Sequence, residues 1–191
     1  MAVSAAPAFE LADGVLERVA TTERPQPNIA ILRSRPTDDH VLGSCDLVVV
    51  ADRLSDPGNL GTILRSAEAA GVDAVVLTPG SVDPLNPKVV RASAGALFHV
   101  QVVVATLDQV RDAGLAIVGT SSHLGDRHTD ADWSGRAALV LGNEAHGLPD
   151  DAEVDRWVRI EHRGRAESLN VAMAATVLVF EAARHRTDGR A

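Results

Sequence analysis

"VVVADRLSDPGNLGTILRSAEAAG", residues 48–71, changes character twice within 24 positions. Val48 to Val50 form a continuous β-branched run, which reads as a strand buried on both faces. Ser55, Asp56, Pro57 and Gly58 then make a turn-forming cluster. From there apolar residues recur at Leu60, Ile63, Leu64 and Ala67, the buried stripe of a helix over 59–70. Asn59 suits the N-cap of that helix. Gly61 and Arg65 lie four apart and so share the other face. A glycine there leaves room for a bulky ligand, and the arginine can grip a phosphate or carboxylate across the gap. An ordinary capped helix with a solvated arginine has the same spacing, so the rest of the chain must decide. The G-x-G-x-x-G fingerprint of dinucleotide-binding domains is missing after this strand, which argues against a dehydrogenase.

Working outward, short apolar runs alternate with helical periodicity. Strands are expected at 47–50, 74–77, 100–104, 115–120, 137–142 and 157–160, and helices at 59–70, 87–96, 106–113 and 168–186. This alternation predicts an α/β fold with a mostly parallel sheet covered by helices on both faces. Open parallel sheets bind ligands beyond the C-terminal ends of their strands. The loops to search are therefore 51–58, 78–86, 120–136, 143–149 and 161–167. Residues 1–44 read differently, with prolines, charges and one apolar piece, "IAIL", and are expected to be an extension or linker before a domain over 45–191.

Composition narrows the chemistry. The chain has 191 residues, 46% of them hydrophobic, enough for a sizeable core. Its net charge of -8 excludes polyanion binding by bulk attraction, so contact with nucleic acid needs a local basic patch or a partner. Aromatics are 3% and tyrosine is absent, which argues against stacking on aromatic platforms. Cys45, the one cysteine, fits a small buried residue and a reducing compartment; no thiolate-rich zinc site can form. No signal peptide and no bilayer-spanning run is visible, so the expected location is the cytoplasm, with no membrane partner.

Three further stretches carry polar residues in suggestive places. In "LVLGNEAHGLPDD", 139–151, a strand ends at Gly142 and Glu144 sits between two glycines, as in a turn wrapped closely around something. A plain loop with a solvated glutamate is the rival reading, and His146 lacks the neighbours of a metal ligand. In 159–186, Val171 to Phe180 is apolar except for Thr176, predicting a helix buried nearly all round. Ser168 and Asn170 stand at its start; capping explains Ser168, but Asn170 needs a partner if buried. His162, Arg163 and Arg165 form a basic cluster just before. In 83–100, Pro87 suits a first helical position, with Lys88 and Arg91 following.

Taken in order, "DPGNLGTILR", "LGNEAHGL" and "ESLNVAMAATVLVFEA" resemble the three signature motifs of the SpoU (TrmH) family of RNA ribose 2′-O-methyltransferases. "NPKVVRASAGALF" resembles the element between the first two. The resemblance covers roughly residues 46–186. It implies the SPOUT fold, an α/β sheet whose C-terminal segment makes a deep trefoil knot, and a homodimer without a metal. It implies S-adenosylmethionine as methyl donor, with Gly142, Ile160, Leu169 and Thr120 lining its pocket. Asn59, Arg65, Glu144, Ser168 and Asn170 match the family's functional polar positions. The implied reaction is 2′-O-methylation of a ribose in structured RNA, more readily ribosomal than transfer RNA; the alternative is a non-catalytic RNA-binding subunit that keeps the fold. Two features depart from the pattern. Ile160-Glu161-His162 stands where members have Ile-Pro-Met or similar, and residues 1–44 resemble only the end of the small RNA-binding domain many members carry.

Overall fold

In the computed structural model, residues 9–20, 24–31 and 37–188 are described. Two compact units divide the chain, Met1–Arg35 and Pro36–Ala191. Among its described residues the first contains one short helix, α1 (Val15–Val19), which starts after Gly14 at a φ of 76°.

The second unit is built on a seven-stranded sheet in which every pairing is parallel. Its strands are β1 (Leu47–Ala51), β2 (Ala74–Leu77), β3 (Gln101–Val104), β4 (Ala116–Ser121), β5 (Asp126–Arg127), β6 (Ala137–Leu141) and β7 (Arg156–Arg159), in the spatial order β3-β2-β1-β6-β4-β7-β5. The six expected strands are all present. The two-residue β5, inside the 120–136 loop, is too short for any periodicity to announce it.

The helices are α2 (Pro57–Ala70), α3 (Pro87–Ala92), α4 (Leu107–Asp112) and α5 (Val171–Asp188). On one face of the sheet, Leu60, Ile63, Leu64 and Ala67 of α2 and Ala172, Ala175, Leu178 and Val179 of α5 meet Val49, Val75, Leu139 and Val158. On the other, Val110 of α4 and Leu42 from a 3₁₀ turn at Asp39–Ser44 cover Val48, Val50, Val76, Ile117 and Val140. Adjacent strand residues thus face opposite layers, so β1 and β6 are buried throughout. Each fully buried valine or leucine contributes about 1.5–3 kcal/mol. Residues 37–44, grouped by sequence with the leading segment, belong to this packing: Thr37 bridges Val103, and Leu42 is fully buried. Cys45 lies in the same layer, and burial, with Asp73 nearby, pushes its thiol pKa up.

Helix boundaries depart from expectation in three instructive places. The N-cap of α2 is Asp56, whose carboxylate accepts from the Asn59 amide at 2.7 Å, and Pro57 fills the first helical position. Asn59 is therefore already inside the first turn, and its side chain is released for other use. The predicted helix over 87–96 stops at Ala92; Ala94 (φ 48°) and Gly95 (φ 95°) turn the chain into a 3₁₀ turn at Ala96–Phe98. The last helix begins at Val171, with Ser168 and Leu169 in the preceding coil. Nor is α5 buried all round: Met173, Val177 and Phe180 are 63%, 39% and 47% exposed, because their spacing of four and three puts them on the face turned away from the sheet.

One strand is enclosed in an unusual way. β7 is hydrogen-bonded to β4 on one side and to β5 on the other. β4 and β5 are consecutive in the chain, joined only by residues 122–125. Gly125 crosses so close to β7 that an added Cβ would strike the Trp157 carbonyl. Its own carbonyl accepts from the Arg159 guanidinium.

Candidate active site

Loops leaving β1, β6 and β7 meet around the carboxylate of Glu144. Its Oε1 accepts from the Asp56 amide at 2.7 Å and from Asn59 Nδ2 at 3.3 Å; its Oε2 accepts from the Ser55 amide at 3.2 Å and the Ser55 hydroxyl at 3.0 Å. Partial burial would raise the Glu144 pKa. Donors from the Asp56, Glu144 and Ser55 amides and the Asn59 side chain outweigh that and hold it at about 2. Glu144 is thus a carboxylate throughout the physiological range, with its oxygens committed to donors. It is built to hold a loop and not to exchange a proton.

Asn59 is the next link. While its Nδ2 donates to Glu144, its Oδ1 accepts from Asn170 Nδ2 at 3.0 Å. Asn170 Oδ1 accepts from the amides of Ala172 and Met173, at 2.9 and 3.3 Å, and so caps α5. Asn170 is exposed and not buried, yet its side chain has a partner in Asn59, 111 residues away. Glu144, Asn59 and Asn170, one from each motif, form a continuous hydrogen-bonded chain.

Arg65 stands on the solvent side of α2, six residues after Asn59. Its guanidinium makes no hydrogen bond or ion pair among the described residues. Thr62 and Gly58, three and seven positions earlier, are exposed on the same side. The expected gap at Gly61 is occupied. Gly61 is buried against the end of α3, and an added Cβ would overlap Ala92 and come within 2.8 Å of the Ser93 nitrogen. The glycine admits a neighbouring helix, and the open stripe beside Arg65 is supplied instead by Gly58 and Thr62.

The expected pocket residues separate into two groups. Ile160, Ser168 and Leu169 line a cavity of about 110 Å³ with Ser121, Ser122, Val158, His162, Ala174 and Leu178. Thr120 is turned into the sheet, where its hydroxyl donates to the Val140 carbonyl at 2.9 Å; Ser121 and Ser122, the next two residues, reach the cavity. Gly142 has a steric role in this arrangement. An added Cβ would collide with the backbone of Gly147 and Leu148, because the 143–147 loop folds straight back, with the Gly147 amide donating to the Asn143 carbonyl at 2.8 Å. Glu161, at the departure from the usual motif, pairs with Arg127 at 2.9 Å. An ion pair to β5 thus ties the residue that follows the exit of β7.

Three contributors escaped the sequence reading. Ser55 and Asp56 act mainly through backbone amides, which carry no residue signature. Asp56 did have a signal, an N-cap residue directly before a proline. Asn143 Nδ2 donates to the Arg53 carbonyl at 2.9 Å, a contact between loops 90 residues apart that only the fold reveals.

The chain's likeness to known proteins agrees with this geometry. The SpoU rRNA Methylase family model matches residues 46–180, a span that contains Asn59, Arg65, Glu144 and Asn170. The 23S rRNA (guanosine(2553)-2′-O)-methyltransferase RlmP of Bacillus subtilis is 37% identical over 180 residues, covering 90% of this chain and 71% of its own length. The SpoU methyltransferase AviRb from Streptomyces viridochromogenes, solved in complex with the cofactor AdoMet, matches with a TM-score of 0.69 and 36% identity over 76% of this chain and 62% of that one. An AdoMet-bound rRNA methyltransferase from Sinorhizobium meliloti matches with a TM-score of 0.70 and 36% identity over 80% and 61%. The chain thus spans about three fifths of the length of these solved relatives. With three motif loops joined through Asn59 and a family match over most of its length, the chain belongs to the SpoU rRNA Methylase family.

Proposed function

We propose that this protein transfers a methyl group from S-adenosylmethionine to a ribose 2′-hydroxyl of ribosomal RNA. The observation that carries the reading is the Glu144–Asn59–Asn170 chain, which fastens the arginine-bearing helix α2 to the loop before α5, beside the cavity. The solved relatives described as AdoMet-bound give the donor, and the Bacillus relative gives the RNA class.

The cavity, at about 110 Å³, has room for part of such a donor, and its lining suits that part. Val158, Ile160 and Leu178 offer apolar walls for a purine, and the hydroxyls of Ser121, Ser122 and Ser168 offer polar contacts. When bound, the donor supplies an electrophilic methyl on a sulfonium. The protein's task is to bring a weak nucleophile into line with that methyl and to exclude water. Arg65 carries the free fork of donors that suits RNA phosphate and ribose oxygens. A guanidinium stays protonated, so Arg65 orients the acceptor nucleotide and does not by itself take the hydroxyl proton. Asn59 and Glu144 hold α2 in place for this work. Of the residues matched to the family's functional positions, Ser168 stands exposed on the cavity wall, available to the donor or to RNA.

The rest of the reading follows from the same frame. A homodimer would cover Met173, Val177 and Phe180, which a lone chain leaves exposed. The placement of β7 between β4 and β5 supports a chain threaded through the 122–125 loop, the beginning of a trefoil knot. The segment ahead of the packed unit, up to Arg35, is then the end of a substrate-RNA-binding domain. A reaction on ribosomal RNA belongs in the cytoplasm, and among the described residues no helix is long and apolar enough to cross a membrane.

Incubation with labelled S-adenosylmethionine and either ribosomal or transfer RNA tests the proposal. Label is expected on a ribose of ribosomal RNA, reduced at least tenfold by Arg65→Lys, which keeps charge but loses the fork. Absence of label from every RNA, or a lysine variant as active as wild type, overturns the reaction or the role of Arg65 respectively.

A further inference from the structure

Arg53, just past the end of β1, differs from the other exposed cations of the second unit. Its φ is 50°, a left-handed backbone that a residue with a side chain adopts only under constraint. Three strand ends supply the constraint. The Arg53 amide donates to Thr78 Oγ1, after β2, at 2.9 Å. Its carbonyl accepts from Asn143 Nδ2, after β6, at 2.9 Å. Its guanidinium rests on Asp52, with Nε and Nη2 both 3.2 Å from Oδ2. Asp52 is itself buried, and its other oxygen accepts from the Thr78 hydroxyl at 2.8 Å. The aliphatic stem of Arg53 passes beside Gly80.

Despite these ties the Arg53 side chain is 59% exposed, and Nη1 has no partner among the described residues. One edge of the guanidinium is therefore clamped by a buried carboxylate while the outer edge faces solvent. An arginine oriented in advance loses little further freedom when an anion arrives, which favours affinity. Its position suits the same substrate as Arg65. Ser55 and Asp56, two and three residues on, give their amides to Glu144, and Asn143 precedes that glutamate. Backbone strain held by three loops at the mouth of the site is the pattern expected where a side chain must be aimed.

We infer that Arg53 is a second RNA-phosphate contact, gripping the backbone of the substrate strand beside the nucleotide that Arg65 orients. The assignment rests on the RNA reading above. The free Nη1 edge, with the remaining Nη2 hydrogen, matches two oxygens of a phosphodiester. The methionine carboxylate of the donor has similar anionic chemistry, so the test separates the two.

The variant Arg53→Gly keeps a residue at ease with positive φ and removes the cation. Arg53→Lys keeps the charge without the fork. Binding is measured to 23S rRNA transcribed in vitro, across a salt series, and to S-adenosylmethionine by calorimetry. Arg53→Gly is expected to weaken RNA binding about tenfold and to lower the slope of log affinity against log salt by about 0.7–0.9, the signature of one lost phosphate contact. Arg53→Lys should keep the slope and lose part of the affinity, and donor binding should not change for either. A glycine variant with wild-type affinity and slope overturns the inference, as does one that loses donor binding while RNA binding stays intact. A wild-type protein that binds this RNA with an Arg53-dependent slope but transfers no methyl group refutes the enzymatic reading and leaves the contact standing. One that binds no RNA refutes both.

Discussion

Asn170 donates its side-chain amide to Asn59 across 3.0 Å while its carbonyl oxygen caps α5, so one side chain serves a helix terminus and the site together. The two duties can be separated. Asn170→Asp keeps an acceptor for the Ala172 and Met173 amides but sets a carboxylate oxygen against Asn59 Oδ1. It should retain near-wild-type stability and lose methyl transfer by about 10–100-fold through misplacement of α2. Asn170→Ala loses the cap as well, about 1 kcal/mol, seen as a fall in melting temperature of about 2–4 °C. Equal melting temperatures for Asn170→Ala and wild type would remove the capping role.

Glu144 makes stability depend on acid in a defined window. Its folded pKa of about 2 lies below the ordinary value of 4.5, so the native state favours the carboxylate. The resulting stability is fully present above about pH 4.5 and is lost as pH falls towards 2. In urea titrations, the difference between wild type and Glu144→Gln should be constant above pH 5 and shrink steadily below 4.5. The same depression predicts no limb from Glu144 in the pH–rate profile of methyl transfer above pH 5. A rate that rises between pH 5 and 7 only when Glu144 is present would show that it exchanges a proton after all.

Gly61 is a packing residue. Gly61→Ala should destabilise the protein by about 1–3 kcal/mol through overlap with the end of α3. Adding Ala92→Gly should recover part of the loss, because the Cβ clash disappears while the backbone of Ser93 remains 2.8 Å from the new methyl. Chemical denaturation of the two single variants and the double variant measures the coupling. Strict additivity would show that α2 and α3 do not meet at this point.

The exposed stripe on α5 predicts an oligomeric state. Met173→Glu or Phe180→Glu should leave secondary structure intact and shift sedimentation from dimer to monomer, because a charge cannot be buried there unpaired. A wild-type protein that sediments as a monomer at micromolar concentration would leave those side chains without a covering partner.

Much of this architecture was legible in the residues. Continuous valine and leucine runs disclosed six of seven strands, since a parallel sheet covered on both faces has no polar side to blur them. Asn59, Glu144 and Asn170 stood out because polar residues at the ends of apolar elements need a reason. Their mutual contacts were not legible, as the loops are 85 and 111 residues apart in sequence. The role of Gly61 was misread because helical spacing gives a residue's face but not what lies against it. Thr120 turns its hydroxyl to the Val140 carbonyl while the next residue, Ser121, lines the cavity, a difference that alternation along β4 produces and that a sequence does not register. Arg53 gave no signal, because a left-handed arginine looks like any other in a sequence.

The enclosure of β7 decides how the cavity can exchange its contents. Val158 and Ile160 belong to a strand and its exit whose neighbours on both sides are tied by the short 122–125 bridge, so that wall cannot peel away as an edge strand would. His162, Ser168 and Leu169 of the lining come from the coil between Glu161 and Asn170, which is almost entirely exposed and tied at its ends to Arg127 and Asn59. A donor held in this cavity would therefore exchange past that coil and not through the β7 wall.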